Sequence, residues 1–329
     1  MTRLAIIGGG AWGTALAMVA RRAGSEAAIW TRDTAIAAAI SQRHENPVYL
    51  PGIALDPAIR ATADLADAAA GIEAALIAVP AQFLREVLAA LAPHLPPALP
   101  LLLCAKGIET GSLKTMSELA AALCPGNPIA ALSGPSFAAE VARDLPTAVT
   151  VASRDPDLAR LFAAALGSPR FRPYLSEDPI GVEIGGAVKN VLAIACGIVD
   201  GRGLGDNARA ALITRGLAEM TRLGIAKGAR AETFAGLSGL GDLVLTCGGA
   251  QSRNHALGVS LGRGQSLGEA LAGRRSVVEG VASAASIAAL AVRLAVEMPI
   301  VAAVETVLHR GMAIAPMIEG LLARPRRAE

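Results

Sequence analysis

The sequence predicts an α/β protein in which a doubly wound parallel sheet forms the N-terminal domain and helices alone form the C-terminal domain. Over the first 178 residues, short apolar runs alternate with helical stretches, which is the pattern of a parallel sheet with crossover helices. From about Asp178 the strand-like runs give way to long segments rich in alanine and leucine. We therefore predict domains at 1–178 and 179–329, joined by the polar, proline-bearing connector 176–179.

The amino-acid composition indicates which kinds of protein this chain can be. Hydrophobic residues make up 53 % of the 329 residues, charged residues 18 %, and the net charge is +2, so a core is assured and a nucleic-acid partner is not expected. The four separated cysteines lack metal-ligand spacing, which favours reduced core thiols and no metal site. The N-terminal apolar run and the run from Val281 are too short for a signal peptide or a membrane span. We expect a soluble, cytoplasmic protein without stable membrane insertion.

Six buried strands are predicted in the first domain. They cover 4–7, 27–30, 74–79, 101–105, 129–132 and 148–151. Ligands of such sheets bind beyond the carboxyl ends of the strands. Lys106 and the segment Ser133-Gly134-Pro135-Ser136 directly follow strands, so they are candidate site residues. A solvated loop lysine and an ordinary turn are the alternatives.

The first strand leads directly into a glycine motif. Gly8, Gly10 and Gly13 fit G-x-G-x-x-G, in which the glycines allow a tight turn, close approach of a pyrophosphate and close packing of helix on strand. The N–H groups and positive dipole end of the following helix favour the phosphates. Because a strand precedes the motif and a helix and a second strand follow it, we interpret this half as a Rossmann-type, dinucleotide-binding domain.

The end of the second strand bears on the choice of dinucleotide. An acidic residue there would bind the ribose 2′-hydroxyl of NAD, and an arginine would meet the 2′-phosphate of NADP. Arg32 stands in this place, followed by Asp33. Arg32 could instead be a solvated surface charge, and Asp33 could cap the next helix. NADP is favoured, and NAD stays open.

Seven helices are predicted in the second domain. They lie near 182–199, 207–224, 230–238, 266–272, 279–296, 300–309 and 315–323. The first of them is apolar nearly all round, as buried helices are, yet it contains Lys189. No charged partner lies one helical turn away in the sequence. A buried lysine loses its proton readily and can act as a general base, whereas a lysine that extends along the surface would have no such role.

Two further segments have the composition of a binding site. Asp242 lies in a glycine-rich turn before an apolar run, and a helix cap is its ordinary interpretation. Ser252, Arg253 and Asn254 form a compact polar trio. This trio suits a phosphate monoester, because an arginine can hold phosphate through two parallel hydrogen bonds. The alternative is a polar loop.

As a set, these segments resemble the bacterial-type NAD(P)-dependent glycerol-3-phosphate dehydrogenase family over nearly the whole chain. The matching pieces are GGGAWGTALA (8–17), NPVYLPGI (46–53), AKGIE (105–109), SGPSFAAEV (133–141), GGAVKNVLAIACG (185–197), LSGLGDLVLTC (237–247), QSRN (251–254) and VVEG (277–280). The resemblance implies reversible reduction of dihydroxyacetone phosphate by NAD(P)H to sn-glycerol 3-phosphate, which supplies phospholipid synthesis. It places the site between the two domains, since the glycine motif and the lysine helix belong to different ones.

The resemblance also implies roles for individual residues. The proton acceptor falls on Lys189, and Asp242 could hold that lysine in place. The implied substrate contacts are Lys106, Gly134, Ser136, Lys189, Asp242, Ser252, Arg253 and Asn254. The implied cofactor contacts are Gly8, Gly10, Ala11, Trp12, Gly13, Arg32, Tyr49, Lys106, Ala138, Arg253, Val277 and Glu279. The family often has serine where this chain has Ala11, so only a backbone contact remains there.

Two alternative functions stay open at this point. Another two-domain reductase, specific for a 3-hydroxy acid or of ketopantoate type, would act on carboxylates. A dinucleotide sensor would keep the glycine motif without catalysis. The long apolar helices of the second domain could also form the face of a homodimer.

Overall fold

The computed structural model describes residues 2–273 and 276–323, and the chain divides there into two compact units. The first extends to Lys106 and resumes over 114–183. The second contains 107–113 and the described residues from Ile184 onward. This division falls inside a helix, five residues beyond the connector, and the limits 1–178 and 179–329 for the domains remain a prediction.

The first unit is built on an eight-stranded sheet, with a separate two-stranded ribbon β3–β4. The strands are β1 (Arg3–Ile7), β2 (Glu26–Trp30), β3 (Glu45–Asn46), β4 (Leu50–Ala54), β5 (Arg60–Thr62), β6 (Ala74–Ile77), β7 (Leu101–Leu103), β8 (Ile129–Ser133), β9 (Thr147–Ala152) and β10 (Phe171–Ser176). The order in the sheet is β10-β9-β8-β7-β6-β1-β2-β5. All six predicted strands are confirmed, with ends that differ by one or two residues.

The sheet is parallel, as predicted, except at one pair of strands. β8 and β9 are antiparallel, whereas every other neighbouring pair in the eight-stranded sheet is parallel. The five-residue helix Ala138–Ala142 lies between them. Four strands were not predicted. Two of them are the edges of the sheet, and β10 carries Pro173, which edge strands tolerate.

Helices of the first unit cover both faces of the sheet. They are α1 (Ala11–Arg22), α2 (Thr34–Ala38), α3 (Leu65–Ala69), α4 (Leu84–Leu91), α5 (Met116–Leu123), α6 (Ala138–Ala142), α7 (Pro156–Leu166) and the start of α8 (Pro179–Gly201). Alternate residues of β1 enter separate cores, Leu4 and Ile6 on one face and Ala5 and Ile7 on the other. The first core is closed by α1, α6 and α7, and the second by α3, α4 and α5. The Rossmann-type, doubly wound prediction is confirmed.

The described part of the second unit is helical throughout, as predicted. Its helices are the rest of α8, then α9 (Asp206–Lys227), α10 (Ala231–Phe234), α11 (Asp242–Gly248), α12 (Arg253–Gly262), α13 (Leu267–Leu271), α14 (Glu279–Arg293), α15 (Pro299–Arg310) and α16 (Ile314–Leu322). The helix predicted near 230–238 ends at Phe234, and a π-helical turn, Leu237–Gly241, follows it. α11 and α12 were not predicted, because their glycines and polar residues hid short helices.

Helix α8 is a core helix. Among the described residues it alone is long and apolar enough to cross a membrane, with a mean hydropathy of 1.7 over an 18-residue window. All of that window is buried inside the protein, which matches the burial predicted from its apolar circumference.

Glycines bring α8 and α12 into backbone contact. Gly197 and Gly201 on α8 face Gly258 and Gly262 on α12. A Cβ at Gly197 would overlap the carbonyl oxygen of His255, and one at Gly258 would overlap that of Ile194. The polar residues at the start of α12 are thereby held against the middle of α8.

Candidate active site

The glycine loop after β1 is shaped by close backbone contacts. Gly8 has a φ of +128°, and a Cβ there would lie 2.8 Å from the carbonyl of Ala78. A Cβ at Gly13 would overlap the carbonyl oxygen of Gly8. A Cβ at Gly10, in contrast, would meet nothing within 4 Å. Gly8 and Gly13 therefore serve the turn and the packing, while Gly10 borders free space that a ligand can enter.

The N-terminus of α1 suits an anion. The helix has no side-chain cap and no acidic residue in its first turn, so its positive dipole end and N–H groups remain available to phosphate. Nε1 of Trp12 is buried and has no hydrogen-bond partner among the described residues. A buried donor of this kind calls for an acceptor, and a dinucleotide would bring several. The residues present fit the pyrophosphate of NAD or NADP.

Several predicted cofactor residues are gathered around this helix end. The side chains of Ala11, Trp12, Tyr49 and Ala138 all pack, partly buried, against the same core of the first unit. They come from α1, the β3–β4 turn and the start of α6. The structure thus brings together residues that are up to 127 positions apart in the printed sequence.

Arg32 and Asp33, the two charged residues after β2, make different contacts. Asp33 caps α2, because its Oδ1 accepts from the backbone N–H groups of Ala35 (2.9 Å) and Ile36 (3.2 Å). Arg32 is exposed, and its guanidinium lies 5.7 Å from the centre of the Phe83 ring. Asp33 is therefore engaged locally, and Arg32 offers its charge at the carboxyl end of the sheet.

The strand-end candidates Lys106, Gly134 and Ser136 form one cluster. Nζ of Lys106 donates to the carbonyl oxygen of Gly134 at 3.0 Å, and Oγ of Ser136 donates to the same oxygen at 2.8 Å. Gly134 has a φ of +131°, and a Cβ there would lie 3.0 Å from Cα of Val149. The Gly134 carbonyl thus anchors both side chains beyond the ends of β7 and β8.

In the second unit, Lys189 and Asp242 form a buried ion pair. Nζ of Lys189 lies 2.6 Å from Oδ1 of Asp242, and the two side chains are 9 % and 1 % exposed. No charged residue lies one turn from Lys189 on α8; the partner comes instead from α11. A carboxylate this close favours the ammonium form, which opposes the effect of burial.

Thr246 completes this arrangement and was missed in the sequence. Its Oγ1 accepts from Nζ of Lys189 at 2.9 Å and lies 2.6 Å from the carbonyl oxygen of Asp242. The signal was present, because a residue four positions after Asp242 lies on the same face of a helix. The π-helical turn that precedes α11 packs closely on α8 at Gly185, where a Cβ would overlap the carbonyl oxygen of Ser238.

The polar trio at the start of α12 does not act as one group. Ser252 caps the helix, since its Oγ accepts from the N–H of His255 at 3.2 Å. Arg253 is exposed. Asn254 is buried, donates to Oδ1 of Asn190 at 2.9 Å, and accepts from the N–H of Gly280 at 3.0 Å. Asn254 therefore links α8, α12 and the start of α14.

The VVEG residues lie at that same start of α14. Val277 is 42 % exposed and precedes the helix, and Glu279 is its first residue. The contact between Asn254 and Gly280 draws this end of α14 to the start of α12. On α8, Lys189 is thus bonded to Asp242 of α11, and the adjacent Asn190 is bonded to Asn254 of α12, which also holds the start of α14.

Glu183 is a buried acid in the first unit that the sequence analysis left without a role. Its Oε1 accepts from the N–H of Ser117 at 2.7 Å, and its Oε2 has no partner among the described residues. Burial raises the pKa of Glu183 from 4.5 to about 7, against the effect of hydrogen bonds from Ser117 and Thr115. The nearby Glu118 raises it slightly further.

The cysteines are buried and free, as the sequence predicted. A hydrogen bond with Cys196, followed by burial, raises the pKa of Cys247 well above its ordinary value, and burial raises that of Cys104. Such thiols are unreactive. Within 2–273 and 276–323, no group of three or more histidine, cysteine or acidic side chains could hold a metal ion.

Known glycerol-3-phosphate dehydrogenases are similar to this chain over nearly its whole length. Models of the N-terminus and C-terminus of NAD-dependent glycerol-3-phosphate dehydrogenase match residues 3–159 and 178–319. A glycerol-3-phosphate dehydrogenase [NAD(P)+] of Rhodospirillum rubrum is 58 % identical over 99 % of this chain and 93 % of its own, and one of Caulobacter vibrioides is 57 % identical over 99 % and 98 %. The crystal structure of a glycerol-3-phosphate dehydrogenase from Coxiella burnetii has a TM-score of 0.95 at 40 % identity, covering 98 % of this chain and 99 % of that one.

Proposed function

The chain belongs to the NAD-dependent glycerol-3-phosphate dehydrogenase family, and we propose that Lys189 is the proton donor of its reaction. That reaction is the NAD(P)H-dependent reduction of dihydroxyacetone phosphate to glycerol 3-phosphate, so the protein is an oxidoreductase that uses NAD or NADP. The buried pair Lys189–Asp242 is the observation that carries the assignment of the proton donor.

Reduction of a ketone requires a proton for the carbonyl oxygen while hydride arrives at the carbon. When bound, NAD(P)H supplies the hydride. Asp242 holds Lys189 as the ammonium, which polarises the substrate carbonyl and gives it the proton. Thr246 fixes the direction of Nζ by accepting from it. In the oxidative direction the neutral amine takes the proton back, as the base expected from the sequence.

The phosphate of the substrate requires cationic and N–H donors. Arg253 is exposed at the start of α12 and has the planar fork that suits a phosphate. Asn254 stabilises the local packing through Asn190 and Gly280, so we assign it chiefly to orienting Arg253. Lys106, held by the Gly134 carbonyl, is a further proposed substrate contact, and it lies in the first unit. Binding energy from the phosphate helps to orient the carbonyl.

The site residues of the first unit are assigned to the cofactor. Gly8, Gly10, Ala11 and Gly13 would hold the pyrophosphate at the N-terminus of α1. Trp12, Tyr49 and Ala138 would line its surroundings, and Arg32 would meet the 2′-phosphate of NADP, which favours NADP over NAD. In the second unit, Arg253, Val277 and Glu279 are the proposed contacts. We also propose a cytoplasmic location and a homodimer, which sedimentation velocity would distinguish from a monomer.

The test is an assay of NADPH oxidation with wild-type protein and with Lys189→Met. Wild type should turn over dihydroxyacetone phosphate and leave ketopantoate, a carboxylated ketone, untouched. Lys189→Met should lose about a thousandfold in kcat, since a positioned acid contributes roughly 10²–10⁴, while the Kd for NADPH stays unchanged.

Two further variants complete the test. Lys227→Met, at the end of α9, removes a lysine of the same unit and should keep normal turnover. Lys189→Met combined with Asp242→Asn avoids leaving an unpaired buried carboxylate and should be equally inactive. Normal turnover in either Lys189 variant would remove the assignment of the proton donor. Reduction of ketopantoate instead of the phosphorylated ketone would remove the assigned substrate.

A further inference from the structure

Asn46, in β3, makes hydrogen bonds through all the polar atoms of its side chain. The residue is wholly buried. Its Nδ2 donates to the carbonyl oxygen of Gly9 at 2.9 Å and to Oγ1 of Thr14 at 2.8 Å. Its Oδ1 accepts from the N–H of Tyr49 at 3.1 Å. One side chain therefore connects the glycine loop, the first turns of α1 and the turn that carries Tyr49.

The bond to Gly9 determines where the next N–H points. In a trans peptide the C=O of one residue and the N–H of the following residue point in opposite directions. Because Asn46 holds the Gly9 carbonyl toward the interior, the N–H of Gly10 is directed away from the interior. Gly10 is the glycine beside free space, with nothing within 4 Å of the place of a Cβ.

The hydrogen bond to Thr14 also connects helix α1 to Asn46. Thr14 is buried on α1, and its N–H bonds to the carbonyl of Gly10 at 3.0 Å. Asn46 thus fixes the loop carbonyl and the helix relative to each other. The N–H groups at the N-terminus of α1 and that of Gly10 are held in one arrangement before any ligand arrives, which reduces the cost of ordering them on binding.

We propose that Asn46 is a positioning residue for the dinucleotide: it holds the Gly9 carbonyl inward and so aims the loop N–H groups at the pyrophosphate. The proposal rests on the proposed function for the identity of the ligand. Asn46 does not touch the cofactor in this role. It acts through Gly9, Thr14 and Tyr49.

The test compares Asn46→Asp with Asn127→Asp. Asn46→Asp keeps the size of the side chain, removes both donors and sets an oxygen against the Gly9 carbonyl. Asn127 is a matched control in the same unit, because its Nδ2 also donates to two backbone carbonyls, those of Pro96 (3.2 Å) and Leu99 (3.0 Å). Both variants should lower the melting temperature. Only Asn46→Asp should raise the Kd for NADPH, by about tenfold, the effect of losing a hydrogen bond to a charged group.

Two readouts separate positioning from a general loss of structure. The kcat of Asn46→Asp at saturating NADPH and its KM for dihydroxyacetone phosphate should stay within about twofold of wild type. Inhibition by adenosine 2′-monophosphate, which lacks the pyrophosphate, should be unchanged. If Asn46→Asp does not fold, Asn46→Ser also withdraws the donors from Gly9 and Thr14, and the same result is expected.

The proposal is overturned if NADPH binds the Asn46 variants as tightly as wild type, or if Asn127→Asp weakens binding equally. Equal weakening of NADPH and adenosine 2′-monophosphate by the Asn46 variants would also overturn it. These affinities are measured by fluorescence titration without substrate. A wild-type protein that binds NADPH but does not reduce dihydroxyacetone phosphate would therefore refute the proposed function and leave the comparison of Asn46 variants intact.

Discussion

The two units present their candidate site residues in different ways. In the first unit the main contributors are backbone groups and turn residues just beyond strand ends, as at Gly10 and Gly134. In the second unit they are side chains inside packed helices, as in the pair Lys189–Asp242. A ligand site made of N–H groups needs space beside the backbone. A buried ion pair needs surrounding helices that lie close enough to exclude water.

Glycine shows this difference most clearly. Gly10 in the first unit borders free space, so the missing side chain leaves room for a ligand. Gly197 in the second unit faces the carbonyl of His255, so its missing side chain leaves room for another helix. Glycine therefore leaves free space at Gly10 and allows close packing of two helices at Gly197.

The largest effect is expected for Gly197→Ala. The new methyl group would overlap a carbonyl oxygen of α12, and relieving that overlap requires the helices to separate at a cost of about 3 kcal/mol in the free energy of unfolding. Urea denaturation would measure this loss. Gly10→Ala is the matched variant of the first unit, and it should leave the unfolding free energy within about 1 kcal/mol of wild type while weakening NADPH binding. A stable Gly197→Ala protein, or an unstable Gly10→Ala protein, would contradict the division of roles.

A second, somewhat smaller effect on the free energy of unfolding is expected for Glu183. This buried acid lies in the first unit, where the candidate site residues are mainly backbone groups. Its pKa is raised from 4.5 to about 7 in the folded state, so the folded protein binds this proton more tightly than the unfolded chain. The stability of the wild type should therefore fall as the pH rises from about 4.5 to 7 and level off above that. Glu183→Gln removes the titration, and its amide oxygen can still accept from Ser117.

At pH 8 Glu183→Gln should accordingly be more stable than wild type by about 2 kcal/mol, somewhat below the roughly 3 kcal/mol that the full shift corresponds to. The difference should vanish near pH 4.5. Thermal unfolding over this pH range measures it, with Glu86→Gln, an exposed glutamate of α4, as control. An equal difference in stability between Glu183→Gln and wild type at pH 8 and at pH 4.5 would show that burial does not raise the pKa of this carboxyl.

The same comparison explains how much the sequence could predict. The strand–glycine–helix pattern at 4–22 predicted the fold and a phosphate-binding turn together, because Gly8 and Gly13 meet steric requirements of the turn and Gly10 leaves space for a ligand. Lys189 was singled out since a charge in an apolar helix is conspicuous. The partner Asp242 was found only as a candidate, because their contact joins residues 53 positions apart through helices α8 and α11, the latter of which was not predicted.

Residues whose role depends on tertiary contacts were missed for a physical reason. Asn46, Asn190 and Thr246 are ordinary polar residues in the sequence, and only the folded chain shows that each bonds to a group near a candidate site. Asn254 stays a predicted contact of the substrate phosphate, together with Arg253. Adjacent residues on a helix point about 100° apart, so one is exposed while the other is buried.

The smallest expected effect concerns Arg32. We propose that its side chain distinguishes NADPH from NADH, whereas the backbone groups of the first unit would bind both cofactors equally well. Arg32→Ala removes a guanidinium that would pair with the 2′-phosphate of NADP, and it should raise the KM for NADPH about tenfold, as expected for one charged hydrogen bond. The KM for NADH should change less than about twofold, since NADH lacks that phosphate. Steady-state rates with each cofactor give both values.

Arg60→Ala is the control. It removes an exposed arginine at the opposite, amino end of β5, which pairs with β2, and it should alter neither the KM for NADPH nor the KM for NADH. Equal increases for NADPH and NADH in Arg32→Ala would mean that Arg32 supports the site without reading the phosphate, and that the choice of cofactor, like its binding, resides in the backbone.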